Sequence, residues 1–254
     1  MMKRVLIAGY TGAMGQKAVD LVAGMPDFEV AAGLAPSGKQ GNLPAQAKIY
    51  RKLSEINESY DIWVDFTTPQ AVFENVQFAL QHHMRPIVGT TGLTDEQVQL
   101  LQKLAQTEGV GGLIAPNFGM SAVLLMKFAQ LAAEFFPDAE IIEMHHADKK
   151  DAPSGTALAT AKLIAQARQN SPESANSEET LAGVRGGDYQ GVKIHAVRLP
   201  GYIAHEQVLF GGPGEALTIR QDSFDRSSFM SGVKVALLKV AELDHLVVGL
   251  ENIL

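Results

Sequence analysis

The chain has no cysteine. Disulfides, zinc–thiolate centres, iron–sulfur clusters and thiol nucleophiles are therefore excluded. Positive charge is scarce: 21 Lys and Arg stand against 28 Asp and Glu, for a formal net charge of -7, and no block of basic residues occurs. That argues against a nucleic-acid footprint, and an anionic ligand must be held by a local site against the overall field. There is no run of about 18 apolar residues, so no membrane span is expected. The first apolar run, Val5-Leu6-Ile7-Ala8, stops at Gly9 and is too short for the core of a signal peptide. The expectation is a soluble, cytoplasmic protein. What is present is 254 residues, 46% hydrophobic and 19% charged. That suffices for a sizeable core in one large or two small domains.

Short apolar runs alternate with amphipathic segments in the first half. Val5–Ala8, Phe28–Leu34, Asp61–Phe66, Pro86–Val88 and Leu113–Ala115 read as strands, and Gln16–Ala23, 69–82 and 94–107 as helices. This rhythm implies βαβ units and a mostly parallel sheet, with apolar central strands covered on both faces. After residue 117 the pattern changes. Ser121–Phe136 has helical periodicity with Ser121 as its N-cap, Ala139–Met144 is strand-like, and Ala157–Gln169 is a helix. The polar stretch Asn170–Glu179 reads as a loop. Val192–Leu199, Glu206–Phe210 and Ala216–Arg220, separated by glycines, read as an antiparallel meander, and Ser228–Val240 as a last helix. The expected fold is therefore α/β, a doubly wound parallel sheet followed by a smaller α+β domain.

Gly9-Tyr10-Thr11-Gly12-Ala13-Met14-Gly15 follows the first strand and opens a helix. Glycines there allow a tight turn, and backbone N–H groups at a helix N-terminus can approach a pyrophosphate. The spacing is G-x-x-G-x-x-G rather than G-x-G-x-x-G, and an ordinary glycine turn is the plainer alternative. The second strand runs into Gly33-Leu34-Ala35-Pro36-Ser37-Gly38-Lys39, with no acid to hold a ribose 2′-hydroxyl. Ser37 and Lys39 instead suit a 2′-phosphate, which favours NADPH over NADH unless Lys39 is simply a solvated loop residue. Phe66-Thr67-Thr68, Gly89-Thr90-Thr91-Gly92 and Ala115-Pro116-Asn117-Phe118 fall where parallel strands end, the edge that lines a ligand crevice.

Glu143-Met144-His145-His146-Ala147-Asp148-Lys149-Lys150-Asp151-Ala152-Pro153-Ser154-Gly155-Thr156 carries the densest chemistry. The two histidines close a strand and project to opposite sides. Lys149 can donate a proton, and a histidine can donate or orient one. Pro153 suits a first helical turn, and Ser154, Gly155 and Thr156 at a helix N-terminus make a carboxylate cradle. Taken singly, each piece has a bland reading as surface charge or helix cap. A metal site is not expected, because adjacent histidines seldom face one ion. Tyr189-x-x-x-Lys193 matches a reductase motif that needs a helix, but Gly186, Gly187 and Gly191 break one here.

On these residues the chain resembles the dihydrodipicolinate reductase family of bacterial lysine biosynthesis, nearly end to end. The carriers are Ile7–Gly15, Val88–Gly92, Ala115–Phe118 and the E-x-H-H-x-x-K-x-D-A-P-S-G-T block at 143–156, while His195–Gly201 looks like the Gram-positive version. The resemblance implies a Rossmann-type dinucleotide-binding domain over residues 1–117 and 227–254, and a substrate-binding and tetramerisation domain over 118–226. It implies NAD(P)H-dependent reduction of 4-hydroxy-tetrahydrodipicolinate to tetrahydrodipicolinate with loss of water, in a homotetramer. His145 would be a proton donor or acceptor and Lys149 the proton donor. His146, Lys149, Ser154, Gly155 and Thr156 would hold the carboxylates of the cyclic substrate. Gly9, Tyr10, Thr11, Gly12, Ala13, Met14, Gly89, Thr90, Thr91, Ala115, Pro116, Asn117 and Phe118 would contact the nucleotide. Ala35-Pro36 stands where some members carry an acid followed by arginine, so the choice between NADH and NADPH stays open. Another two-domain NAD(P) reductase, or a redox-sensing regulator, would share the nucleotide fold, but a sensor needs no proton donor.

Overall fold

Unbroken apolar runs build the first sheet. The computed structural model describes residues 2–169 and 177–254. Strands β1 (Lys3–Ala8), β2 (Phe28–Leu34), β3 (Lys48–Tyr50), β4 (Ile62–Asp65), β5 (Arg85–Val88), β6 (Gly112–Ile114) and β12 (Leu246–Val248) form a seven-stranded sheet in the order β12-β6-β5-β4-β1-β2-β3. Every pairing in it is parallel. Its central strands lack alternation because both faces are covered: all four residues of β4 are buried. Helices α1 (Ala13–Ala23), α2 (Val72–Gln81), α3 (Asp95–Glu108) and α6 (Met230–Lys239) complete this unit, which comprises Met1–Phe118 and Phe229–Leu254. Val72, Val76 and Leu80 form the buried stripe of α2 and pack with Leu101 and Ala105 of α3. Chain order reverses beside β1, since β2 and β3 extend to one side and β4, β5 and β6 to the other. The loops leaving β1 and β4 diverge there and open the crevice of a doubly wound sheet.

The second unit, Gly119–Ser228, holds α4 (Met120–Ala133), β7 (Asp138–His145), α5 (Gly155–Ala167), β8 (Gly187–Tyr189), β9 (Val192–Arg198), β10 (Ala204–Gly212) and β11 (Glu215–Ser223). Its sheet runs β11-β10-β7-β9-β8, with β7 and β9 parallel and the other pairs antiparallel. Leu125 and Ala129 of α4 and Ala157, Ala161 and Ile164 of α5 bury Ile141, Ile194 and Val208 of the sheet.

The meander expected over Val192–Leu199, Glu206–Phe210 and Ala216–Arg220 is corrected. β10 and β11 form a hairpin, but β7 lies between β9 and β10. The central position covers Ile141, fully buried, on both sides. The 199–203 connection crosses the end of β7, where the Leu199 N–H donates to the His145 carbonyl at 3.1 Å. Five residues at about 3.3 Å each readily step across two strand spacings of about 4.8 Å. Ser121 is likewise not the cap of α4. Gly119 occupies that position, and the Ser121 hydroxyl bonds the Gln221 side chain at 3.2 Å. Pro153 precedes the cap Ser154 instead of entering the first turn of α5. Tyr189 and Lys193 flank a two-residue hairpin whose Gln190 and Gly191 both have positive φ, so the Y-x-x-x-K spacing is no helical motif. Of the loop expected over Asn170–Glu179, residues 170–176 lie outside the described residues.

Candidate active site

In the first unit, the turn after β1 is shaped by close backbone packing. Gly9 has φ +79, and a Cβ there would collide with the Phe66 carbonyl. Gly15, inside α1, packs so closely on Gly9 that it also has no room for a Cβ. Gly12 caps α1 without any side-chain hydrogen bond, and the first turn carries no acid. Helices α3 and α5, by contrast, are capped by Thr94 and Ser154. Gly12 and Ala13 are exposed, with Thr11 and Met14 half-buried. Among the described residues no side chain caps this helix start, which fits the pyrophosphate of a dinucleotide.

Other residues expected at the nucleotide are held in place by packing and hydrogen bonds at the strand ends. Tyr10 is fully buried, and its hydroxyl donates to the Lys39 carbonyl, tying down the loop after β2. Gly89 packs against the Phe66 ring, which meets the buried Phe118 edge-on at 6.0 Å. Ala115 is buried and bonded through its N–H to the Val88 carbonyl. The Thr90 hydroxyl donates to Asp65 Oδ1 at 2.7 Å and accepts from the Thr67 N–H. Asp65, fully buried, also accepts from Trp63, Thr67 and Asn75, and so clamps the ends of β4 and β5. Exposed Thr91 and Pro116, with half-buried Asn117, remain on the open edge.

Ser37 and Lys39 are exposed, and Arg51 lies beside them: its guanidinium abuts Gly38. Strand β3 brings it there, because the Ala35 N–H bonds the Tyr50 carbonyl at 3.0 Å. Among the described residues the Arg51 guanidinium has no ion-pair partner. Sequence reasoning missed Arg51, because a three-residue strand placed beside β2 leaves no local pattern.

In the second unit, Glu143 organises the block at 143–156. Two residues apart on a strand, Glu143 and His145 share a face. Glu143 Oε2 is 2.6 Å from His145 Nδ1, and Oε1 accepts from the Ser154 N–H at 3.0 Å. Arg198, opposite His145 on β9, adds two bonds of 2.8 Å, one to each oxygen. Burial alone would raise the Glu143 carboxyl. The bonds from His145, Arg198 and Ser154 overcome it and bring it down to about 2. With Glu143 ionised, the carboxylate fixes the His145 ring through Nδ1 and leaves Nε2 for chemistry.

Arg198 also bonds the Asp151 carbonyl at 2.6 Å, and the Asp151 carboxylate pairs with Lys149 Nζ at 2.7 and 2.8 Å. Lys149 holds that carboxyl below its usual range. Lys149, Asp151, Arg198, Glu143 and His145 are thus one continuous polar chain. The Ser154 hydroxyl oxygen accepts from the Ala157 N–H at 3.1 Å, and the Ser154 N–H donates to Glu143, so both groups serve the fold. Gly155 is exposed with open space around its α-carbon, Thr156 is half-buried, and His146 is exposed. Glu143, Asp151 and Arg198 had no assigned role from the sequence. The i, i+2 spacing of Glu143 and His145 on a strand is the signal that could have found the first.

The dihydrodipicolinate reductase N-terminal model matches residues 3–118, and the C-terminal model of the same family matches 121–254. A 4-hydroxy-tetrahydrodipicolinate reductase of Lactobacillus helveticus is 70% identical over 259 residues, spanning 100% of this chain and 99% of that protein. One from Streptococcus uberis is 49% identical over 253 residues, with 99% of each chain covered. A dipicolinate-bound dihydrodipicolinate reductase from Paenisporosarcina sp. TG-14 superposes with a TM-score of 0.91 at 48% identity, covering 100% of both chains. A probable dehydrogenase from Thermotoga maritima, at 12% identity and TM-score 0.67 over 98% of this chain and 92% of its own, shares the fold. With the glycine turn, the switch-point crevice and the Glu143–His145 chain on one polypeptide, these matches make the protein a member of the dihydrodipicolinate reductase family of oxidoreductases.

Proposed function

We propose that the protein reduces 4-hydroxy-tetrahydrodipicolinate to tetrahydrodipicolinate, in the route to diaminopimelate and lysine. The observation that carries this reading is the chain of Lys149, Asp151, Arg198, Glu143 and His145 beside the N-terminus of α5. Overall, one hydride and one proton enter and one water leaves. A reduced nicotinamide nucleotide, when bound, supplies the hydride. Lys149 delivers the proton to the ring carbon that becomes electron-rich, and Asp151 keeps the ammonium charged and aimed. His145, oriented by Glu143, takes a proton at Nε2 from the carbon beside the departing hydroxyl and returns it to that hydroxyl, which leaves as water. His146, Lys149, the Gly155 N–H and Thr156 receive the carboxylates, with Ser154 shaping the helix end they bind. The dipicolinate held by the Paenisporosarcina relative supports a cyclic dicarboxylate as the ligand.

The backbone of Gly9 to Met14, with Gly89, Thr90 and Thr91 and with Ala115 to Phe118, forms the nucleotide edge in this reading. Ser37, Lys39 and Arg51 favour NADPH, because they offer a 2′-phosphate two charged donors and a hydroxyl. A cytoplasmic homotetramer belongs to the same reading; exposed apolar side chains of the second unit, Phe135 and Phe224 among them, support self-association. The test is loss of reduced-nicotinamide absorbance near ~340 nm with freshly made synthase product. Turnover with that product is the expected result. Nucleotide binding without turnover overturns the reading in favour of a sensor, and turnover only with other substrates favours a different reductase.

A further inference from the structure

A second buried carboxyl lies one strand away from Glu143. Glu206 of β10 stands directly opposite Glu143 of β7 and, on its other side, opposite Gln221 of β11. With Ala196 of β9 they form one row across the sheet, two residues along from the apolar row of Ile194, Ile141, Val208 and Ile219. Glu206 is 2% exposed, and its Oε1 has no hydrogen-bond partner. The Thr160 hydroxyl of α5 acts on its side chain and also bonds the Thr156 carbonyl at 2.9 Å. A hydroxyl has one proton, so Thr160 cannot donate to the Thr156 carbonyl and to Glu206 at once. With Oε1 unpartnered and Thr160 shared with a carbonyl, the site does not supply the donors that a buried carboxylate needs, and the neutral acid suits it better.

The neighbours agree with that assignment. The charged group acting on Glu206 is Glu143, a like charge. β11 presents the neutral Gln221 and α5 the neutral Thr160. Ser121 of α4 is bonded to Gln221, while Arg198 and His145 are bonded to Glu143. No cation in the row compensates a second negative charge, and an unpaired buried carboxylate is the expensive state.

We propose that Glu206 is a positioning residue that holds a proton in the resting protein, leaving Glu143 as the single negative charge shared by Arg198 and His145. When Glu206 ionises, a second negative charge enters the row beside the carboxylate that orients His145. Burial pushes the Glu206 carboxyl up to about 7, with Glu143 adding to the rise against the opposing Thr160 bond. Two carboxyls on adjacent strands are thereby driven apart, one always ionised and one titrating near neutrality. The proposal rests on the role given above to His145, and it adds a pH sensor behind that residue.

Glu206→Gln replaces the acid with a neutral amide of the same shape. The experiment follows the His145 ring protons by NMR across pH in the full chain, assigned by their loss in His145→Asn. We expect the parent ring signals to show an inflection near pH 7 that follows the Glu206 carboxyl. In Glu206→Gln that inflection is absent. Superimposable curves in two folded proteins overturn the proposal. If Glu206→Gln does not fold, isotope-labelled glutamate carboxyls of the parent are titrated instead. One that titrates near neutrality sustains the proposal, and ionisation of all of them below about pH 6 overturns it. Neither readout needs substrate, so failure of the reductase reading leaves both unchanged.

Discussion

Arg198 and Glu143 meet in a two-pronged ion pair, each guanidinium nitrogen 2.8 Å from its own carboxylate oxygen, with the Glu143 side chain entirely out of solvent. The geometry matches the planar fork of arginine to both carboxylate lone-pair directions. Removing one partner strands the other in a low-dielectric interior. Arg198→Met is therefore expected to destabilise the protein by about 3–5 kcal/mol. Urea unfolding monitored by circular dichroism reads this directly; a change under about 1 kcal/mol would mean that His145 and Ser154 alone satisfy Glu143.

The same carboxylate gives the fold an acid limit. Glu143 lies at about 2 in the folded chain against an ordinary value of 4.5. A depressed folded value means that the unfolded chain binds the extra proton first. The stabilisation is complete above about pH 4.5 and is lost as pH falls toward about 2. At ~1.4 kcal/mol per unit it is of the order of 3 kcal/mol. Unfolding free energies measured from pH 6 down to 2 should fall less steeply in Glu143→Gln; parallel slopes would assign the acid sensitivity to other groups.

Lys149→Ala should leave the fold intact, since its partner Asp151 is 59% exposed. Turnover should drop by ~10²–10⁴-fold, the usual worth of a general acid. Activity near the parent level would take Lys149 out of proton delivery.

Arg51→Gln probes the nucleotide choice. A charge-assisted bond to a 2′-phosphate is worth about 1.5–3 kcal/mol, so the KM for NADPH should rise by ~10–100-fold while that for NADH stays put. Equal changes with both nucleotides would make Arg51 a loop-packing residue.

Gly9→Ala forces a side chain onto φ +79 and into the Phe66 carbonyl. A penalty of about 1–3 kcal/mol for the dihedral alone is expected, together with loss of nucleotide binding in a calorimetric titration. Normal affinity would show that the turn can relax without losing its donors.

Some of this was legible locally. Phe28–Leu34 is a strand with those same bounds in the structure, because an unbroken apolar run between turn residues needs no distant partner to be recognised. The glycine turn at 9–15 announced itself in the same way, since its constraints lie within seven residues. The helix expected over 94–107 also holds as α3, and the structure adds its cap, where Thr94 and Gln97 exchange bonds three residues apart. Lys48–Tyr50, Gly187–Tyr189 and Leu246–Val248 are three-residue strands with no period to read, and they exist only because a neighbouring strand offers them an edge.

The sequence by itself determined the parallel nucleotide-type sheet, the helix that follows its first turn, and the residues of the 143–156 block. Only the tertiary structure decided which of those residues touch. Glu143 and Arg198 are 55 positions apart, Arg51 reaches Gly38 from another strand, and Glu206 faces Glu143 only because β7 separates β9 from β10. The reason is physical: strand pairing and burial are long-range, and they set both the partners and the protonation of a carboxyl that the local sequence leaves undetermined.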